Sequence, residues 1–340
     1  MRTLTRWFVV VLVAALAHAA CAGSVVDSVA IPVRDMDRAV RFYTDALSFR
    51  QVDDREVAGS DYEHFYGVFG ARVHIVRLAL GTEAVELTQF LAPHGRPLPA
   101  DSHSNDRWFQ HVAIIVSDMD RAYAALRTHG VEHASTGPQL LPDWNKDAGG
   151  IRAFYFRDPD GNHLEILQFP PGKGQARWQS RERLFLGLDH TAIVVGNTDS
   201  SLAFYRDTLG MQVAGTAENY GSEQERLNNV FGVRLRITAL RAEQGMGVEL
   251  LDYLAPRTGR AMPVDTLADD AWHWQINLAR DELATTAAAV RERSGAPGAA
   301  AYVSPGVVEF AAPARLGSQA LLLRDPDGHA VALWAGAPHR

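Results

Sequence analysis

Two short strand patterns recur along the chain, each four times. The clearest copies place a histidine at the start of one pattern and a glutamate near the end of the other. Gln110-His111-Val112-Ala113-Ile114 is followed by Leu164-Glu165-Ile166-Leu167, and Asp189-His190-Thr191-Ala192-Ile193 by Val248-Glu249-Leu250-Leu251. Imidazole and carboxylate side chains suit a borderline divalent cation, and His and Glu on separate strands of consecutive modules can assemble a four-ligand site. His111, Glu165, His190 and Glu249 are therefore the candidate metal ligands. Around a divalent ion they form a formally neutral set that suits Zn, Ni, Co, Mn or Fe(II) better than Ca or Cu(I). Glu165 and Glu249 are also candidate catalytic bases, since proton transfer by a positioned carboxylate contributes about 10²–10⁴-fold in rate. A single strand histidine is more often a hydrogen-bonded core residue. The glutamates resist that reading, because Glu86, Glu165 and Glu249 each interrupt an apolar strand, and burying an unpaired carboxylate costs several kcal/mol.

The elements that position these residues are legible as repeats. At a spacing of about 163 residues, Val68-Phe69-Gly70 returns as Val230-Phe231-Gly232, and Val85-Glu86-Leu87 as Val248-Glu249-Leu250. Asp106 and Trp108 return as Asp270 and Trp272, and Arg157-Asp158-Pro159-Asp160-Gly161 as Arg324-Asp325-Pro326-Asp327-Gly328. Each half divides again. Residues 28–43, 111–123 and 190–205 share an apolar strand, a turn that can cap a helix at Asp35, Asp118 and Asn197 or Asp199, and an amphipathic helix. Asp-Pro-Asp-Gly ahead of the last strand reads as a hairpin turn. The prediction is an α+β protein of four βαβββ modules: residues 25–95 and 106–170 in a first domain, 25–170, and residues 186–256 and 270–335 in a second, 186–335.

With 340 residues, 47% of them hydrophobic, the chain can bury a sizeable core, and a net charge of −7 without basic clusters gives no footprint for nucleic acid. Residues 1–23 read as an export signal: Arg2 and Arg6, a short apolar run from Phe8 to Ala17, then small residues. The expectation is an exported, periplasmic protein. Cys21, the one cysteine, sits where cleavage would occur. It is either the acylated N-terminus of a lipoprotein, the sole membrane attachment foreseen, or incidental to cleavage after Ala19 or Ala22. A monomer is consistent with this plan.

Four such modules with these strand openings and hairpins resemble the vicinal oxygen chelate superfamily, the group of glyoxalase I, the bleomycin and fosfomycin resistance proteins, methylmalonyl-CoA epimerase and the extradiol dioxygenases. The resemblance covers the chain after residue 25. It implies that modules face each other in pairs to form two cupped mixed β-barrels, with metal ligands from the first and fourth strands of each module. Carried over by position, the first module offers Ser28 and Glu86, the second His111 and Glu165, the third His190 and Glu249, and the fourth Gln275 and Ala332, with His273 as a fallback. Pairing the second module with the third gives one complete cup and one retired cup, whereas first-with-second and third-with-fourth leaves both incomplete. The second-with-third pairing is the expectation; His163, two residues before Glu165, either lines the same face or, like the other histidines without a matched repeat, is a solvated surface residue.

Three functions follow from the resemblance: a metal-dependent lyase or isomerase of glyoxalase type acting on a small substrate with vicinal oxygens, an extradiol-type ring-cleavage dioxygenase, and a non-catalytic protein that binds a small molecule. The dioxygenase needs ligands from the third and fourth modules, where Gln275 and Ala332 stand. Export weakens a glutathione-dependent reaction, because that thiol is chiefly cytosolic.

Overall fold

The computed structural model describes residues 24–293, 295 and 299–336. Cys21 and the export signal read at 1–23 lie outside the described residues. The first module comprises β1 (Val25–Pro32), α1 (Met36–Leu47), β2 (Arg50–Ala58), α2 (Ser60–Tyr66), β3 (Arg72–Leu80) and β4 (Glu83–Ala92). The second comprises β5 (Gln110–Val116), α3 (Met119–Thr128), β6 (Glu132–His133), β7 (Gln139–Leu140), β8 (Arg152–Arg157) and β9 (His163–Gln168). The third comprises β10 (Phe185–Val195), α4 (Thr198–Tyr205), β11 (Gln212–Tyr220), α5 (Ser222–Asn228), β12 (Arg234–Arg241), β13 (Gln244–Gly245) and β14 (Gly247–Ala255). The fourth comprises β15 (Gln275–Ala279), α6 (Leu283–Glu292), β16 (Ala301–Tyr302), β17 (Val308–Ala314), β18 (Gly317–Arg324) and β19 (Ala330–Trp334).

Local chemistry sets the element boundaries. The carboxylates of Asp35 and Asp118 and the amide oxygen of Asn197 accept from the main-chain N–H groups of Arg38, Arg121 and Ser200 at 2.9–3.0 Å, starting α1, α3 and α4. In the turn before β9, Asp158 Oδ1 accepts from the N–H of Asp160 at 2.8 Å and of Asn162 at 2.9 Å, and Gly161 takes a φ of +89°. Asp325 repeats this before β19 with Asp327 and His329, both at 2.9 Å.

The strands form two mixed sheets. One runs β11-β12-β14-β10-β5-β9-β8-β6, with β7 on β8, and so joins the second and third modules. The other runs β16-β18-β19-β15-β1-β4-β3-β2, with β13 on β1 and β17 on β18, and joins the first and fourth. The second-with-third pairing is thus the one adopted. The two cupped, mixed sheets expected are observed, and each cup is open: among the described residues the edge strands β11 and β6 are not paired to each other, nor are β16 and β2.

Alternation along each strand divides the apolar residues. Val112, Ile114, Ile193, Leu164 and Leu250 turn away from their cup and join Val29, Ile31 and Ile276 of the other sheet, with the apolar faces of α1, α3, α4 and α6, in the largest core cluster. The opposite faces line the cups. One cup is walled by Phe109, Tyr155, Ala192, Leu235 and Leu251, the other by Phe65, Val73, Phe310, Leu322 and Trp334.

Candidate metal centre

Strand register assembles the site. Across β14, β10, β5 and β9, Glu249 lies opposite Ala192, Ala192 opposite His111, and His111 opposite His163. In the adjacent row His190 lies opposite Ala113, and Ala113 opposite Glu165. Ala113 and Ala192, both fully buried, thus form a floor over which longer side chains can meet. Glu165 Oε2 lies 3.2 Å from His111 Nε2 and 3.6 Å from His190 Nε2, and Glu249 Oε2 lies 3.4 Å from His190 Nε2. Donor atoms of His111, Glu165 and His190 all fall within 4.8 Å of one another. Metal–ligand bonds of about 2.0–2.2 Å place ligand atoms about 3–4.4 Å apart, so the spacing fits a shared cation.

The surroundings orient these groups. His190 Nδ1 bonds Asp189 Oδ2 at 3.1 Å, leaving Nε2 to face the carboxylates. Asp189 is itself held by Arg241, whose Nη2 donates to Oδ2 at 2.9 Å and Nη1 to the main-chain oxygen at 2.8 Å, and by Trp178 Nε1 on Oδ1 at 3.1 Å. Burial works against the His190 imidazolium, but Glu249, the Asp189 hydrogen bond and Glu165 outweigh it and raise its pKa to about 9. Burial also opposes charge on Asp189, yet His190 and Arg241 hold that carboxyl below its ordinary range. Burial is the leading cause that raises Glu249, with His190 opposing it.

His111 supplies the test of fit. Its ring packs against Tyr155 at 4.9 Å and Phe109 at 5.5 Å between centroids, and it is 1% exposed. Neither of its buried ring nitrogens has a hydrogen-bond partner, because Glu165 Oε2 is near Nε2 without the alignment of a hydrogen bond. A buried imidazole left in this state is costly on its own, and a cation balanced by the adjacent carboxylates would satisfy it. A cavity of about 490 Å³ opens above the centre, lined by Glu165, His190, Glu249 and Tyr155 among others.

The two sequence-predicted His/Glu pairs are brought together. His163 is not part of the cluster. Its ring lies 4.6 Å from Phe109, Arg157 Nε approaches at 3.4 Å, and burial with the charges of Arg157 and His111 pushes its pKa down to about 3. Asp189, Arg241 and the alanine floor escaped the sequence reading. Asp189 directly precedes His190 in the chain, but Arg241 lies 52 positions away and meets it only through the sheet.

The other cup confirms the register expected for Gln275 and Ala332. Glu86 lies opposite Ala30 and Ala30 opposite Gln275, while Ser28 lies opposite Asn277 and Asn277 opposite Ala332. His273 falls outside β15 and its Nδ1 meets Arg324 at 3.2 Å. The space is filled by arginines. Arg55, Arg77 and Arg315 approach Glu86 at 3.3–3.5 Å, and Arg77 and Arg315 also pair with Asp27. Register equates Arg77, opposite Glu86, with Ala239, opposite Glu249; it equates Arg55, opposite Ile75, with Ala217, opposite Ile237. The remaining cavity is about 20 Å³.

Comparison with known proteins agrees with this duplicated architecture. The model of the Glyoxalase/Bleomycin resistance protein/Dioxygenase superfamily matches residues 25–166 and 187–333. The chain is 33% identical over 155 residues to a 2-epi-5-epi-valiolone epimerase from Actinomyces sp, covering 43% of this chain and 80% of the relative. It is 25% identical over 196 residues to a lactoylglutathione lyase of Schizosaccharomyces pombe, covering 56% of this chain, and it spans 60% of that relative's length. Glyoxalase I from Zea mays shares the fold with a TM-score of 0.57 at 17% identity, over 92% of each chain. The chain belongs to the Glyoxalase/Bleomycin resistance protein/Dioxygenase superfamily.

Proposed function

We propose that the protein is a metal-dependent lyase or isomerase in which His111, Glu165, His190 and Glu249 hold one divalent ion, of the class Zn, Ni, Co, Mn or Fe(II), at the base of the open cup. The observation that carries this reading is the meeting of His111, Glu165 and His190 on an alanine floor, with Glu249 joined to them through His190 and the His111 imidazole having no other polar partner. When bound, the ion would supply Lewis acidity to adjacent oxygens of a small substrate. The chain's own groups then divide the labour. Asp189 and Arg241 fix the His190 ring. Glu165, in contact with both histidines, holds the centre together. Among the described residues Glu249 pairs with His190 alone and its side chain is 23% exposed, so it is the carboxylate free to swing toward a substrate carbon and carry its proton. Proton transfer beside a carbonyl is common to isomerisation and epimerisation, the chemistry named in the epimerase relative.

The dioxygenase alternative required ligands shared between the third and fourth modules, and those modules lie in different sheets. Metal analysis of the purified chain tests the proposal. About one ion per chain is expected, and His111→Ala and His190→Ala should each reduce occupancy by at least about tenfold. Retention of the ion in both variants refutes the assignment. A metal-loaded protein that binds substrate analogues but exchanges no substrate proton with solvent is instead a binding protein. Export, with or without an acyl group on Cys21, belongs to the same proposal, and the mass of the mature chain decides it.

A further inference from the structure

The duplication exposes how differently the two cups treat positive charge. In the closed cup Arg55, Arg77 and Arg315 crowd around Glu86. In the open cup the positions of Arg55 and Arg77 are Ala217 and Ala239, and both line the cavity. Arg241 is the one Lys or Arg side chain lining that cavity among the described residues, and both of its η-nitrogens are engaged by Asp189. Lys173, near the wall, is likewise engaged: its Nζ donates to the main-chain oxygens of Lys146, Asp147 and Gly149 at 2.8–3.0 Å.

With His190 neutral as a ligand of the proposed ion, the charges that remain leave nothing for an anion. Asp189 and Arg241 cancel, and Glu165 and Glu249 balance a divalent ion, while Asp147 on the wall adds a further negative charge. A substrate carboxylate entering this cup loses hydration and finds no counter-charge. The wall offers neutral groups instead, with Thr216 and Gln175 among apolar side chains such as Leu167, Ile237 and Leu251.

We infer that the open cup selects an uncharged substrate, a compact hydroxycarbonyl compound that chelates through neighbouring oxygens. It discriminates against molecules bearing carboxylates beyond the chelating atoms, including peptide–thiol adducts of the glutathione kind. This rests on the metal-site reading above. It separates the protein from a thiol-adduct lyase by the charge its cavity tolerates.

The test uses the full chain loaded with cobalt, whose visible spectrum reports ligands entering its coordination sphere. Two probes share a hydroxamate head and differ in the tail: the monohydroxamate of succinic acid, which carries a carboxylate, and its primary amide, which is neutral. The amide is expected to bind at least about tenfold more tightly, the equivalent of about 1.4 kcal/mol. Ala217→Lys, which places a cation where the closed cup has one, should narrow or reverse that ratio; Thr216→Lys serves if the first variant does not fold. Equal or tighter binding of the carboxylate probe by the native chain overturns the inference, as does an unchanged ratio in the folded lysine variant. Failure of the protein to take up cobalt is a different result: it removes the metal centre itself, and the inference with it.

Discussion

At the residue scale, the centre depends on groups that never touch the proposed ion. Asp189 takes up one face of His190 and so leaves the other ring nitrogen aimed at Glu165 and Glu249. Asp189→Asn keeps the shape but removes the charge that Arg241 and His190 share, and such outer groups are worth about 10–100-fold in metal affinity. Chelator competition should show a loss in that range with the fold intact by circular dichroism. Unchanged affinity would mean the ring is oriented by packing alone. His111 has no such partner; aromatic neighbours position it. The four candidate ligands stood out in sequence because a strand has a period of two, so a polar residue at a cup-facing place is conspicuous between core residues. Asp189 and Arg241 were not legible as a pair, since only the folded sheet lets Arg241, at the end of β12, reach across β14 to β10.

At the element scale, the same strand plan makes an open cup or a filled one according to a few side chains. Ser28 and Ala332 announced in sequence that the first and fourth modules lack a full ligand set; what fills that cup instead, a cluster of arginines from β2, β3 and the turn before β18, depends on cross-strand register. Ala239→Arg copies Arg77 into the open cup, where the guanidinium would compete with a metal ion for Glu249. Metal occupancy should fall at least about tenfold, by removal of a ligand rather than by unfolding; a variant that keeps its ion would show that the two cups are not equivalent in register. The hairpin turns diverge in a similar way. Burial is the main cause that lifts the Asp158 carboxyl to a pKa of about 6, with Asp160 adding to it against the hydrogen bonds from Asn162. In the matching turn burial acts likewise on Asp325, but His329, standing where the other turn has Asn162, draws that carboxyl below its ordinary value. A carboxyl whose folded pKa is raised favours the folded state while protonated. Its contribution is full below the unfolded value of about 3.9 and is lost as pH rises through about 6. Denaturant titrations at pH 4 to 7 should therefore show native stability falling relative to Asp158→Asn, by up to about 3 kcal/mol across that window. A difference independent of pH would place the Asp158 titration at its ordinary position.

At the scale of the whole molecule, the repeat of Asp106 and Trp108 as Asp270 and Trp272 finds its meaning in two clamps. Arg260, in the segment after the third module, grips Asp106 through Nε at 3.0 Å and Nη2 at 2.6 Å and lies 4.6 Å over the Trp108 ring. Arg96, after the first module, grips Asp270 at 2.9 and 2.7 Å and lies 4.8 Å over Trp272. Each clamp ties a module to its partner within one sheet, so the pairing of second with third is reinforced outside the strands as well as by β5 against β10. Sequence revealed the repeated Asp and Trp but not the arginines that answer them, because the partner of each lies more than 150 residues away. Duplication also provides an internal control. The Arg260 clamp anchors the approach to β5, which carries His111, whereas the Arg96 clamp anchors the approach to β15, which carries Gln275. Arg260→Ala and Arg96→Ala remove the same bidentate and stacking contacts and should lower the unfolding midpoint to a similar extent. Only Arg260→Ala should also weaken metal binding in chelator competition, since it loosens the strand beneath one ligand. Equal loss of affinity in both variants would show that the sheets respond as one body, and that the clamp contributes to the centre through overall stability rather than through the placing of His111.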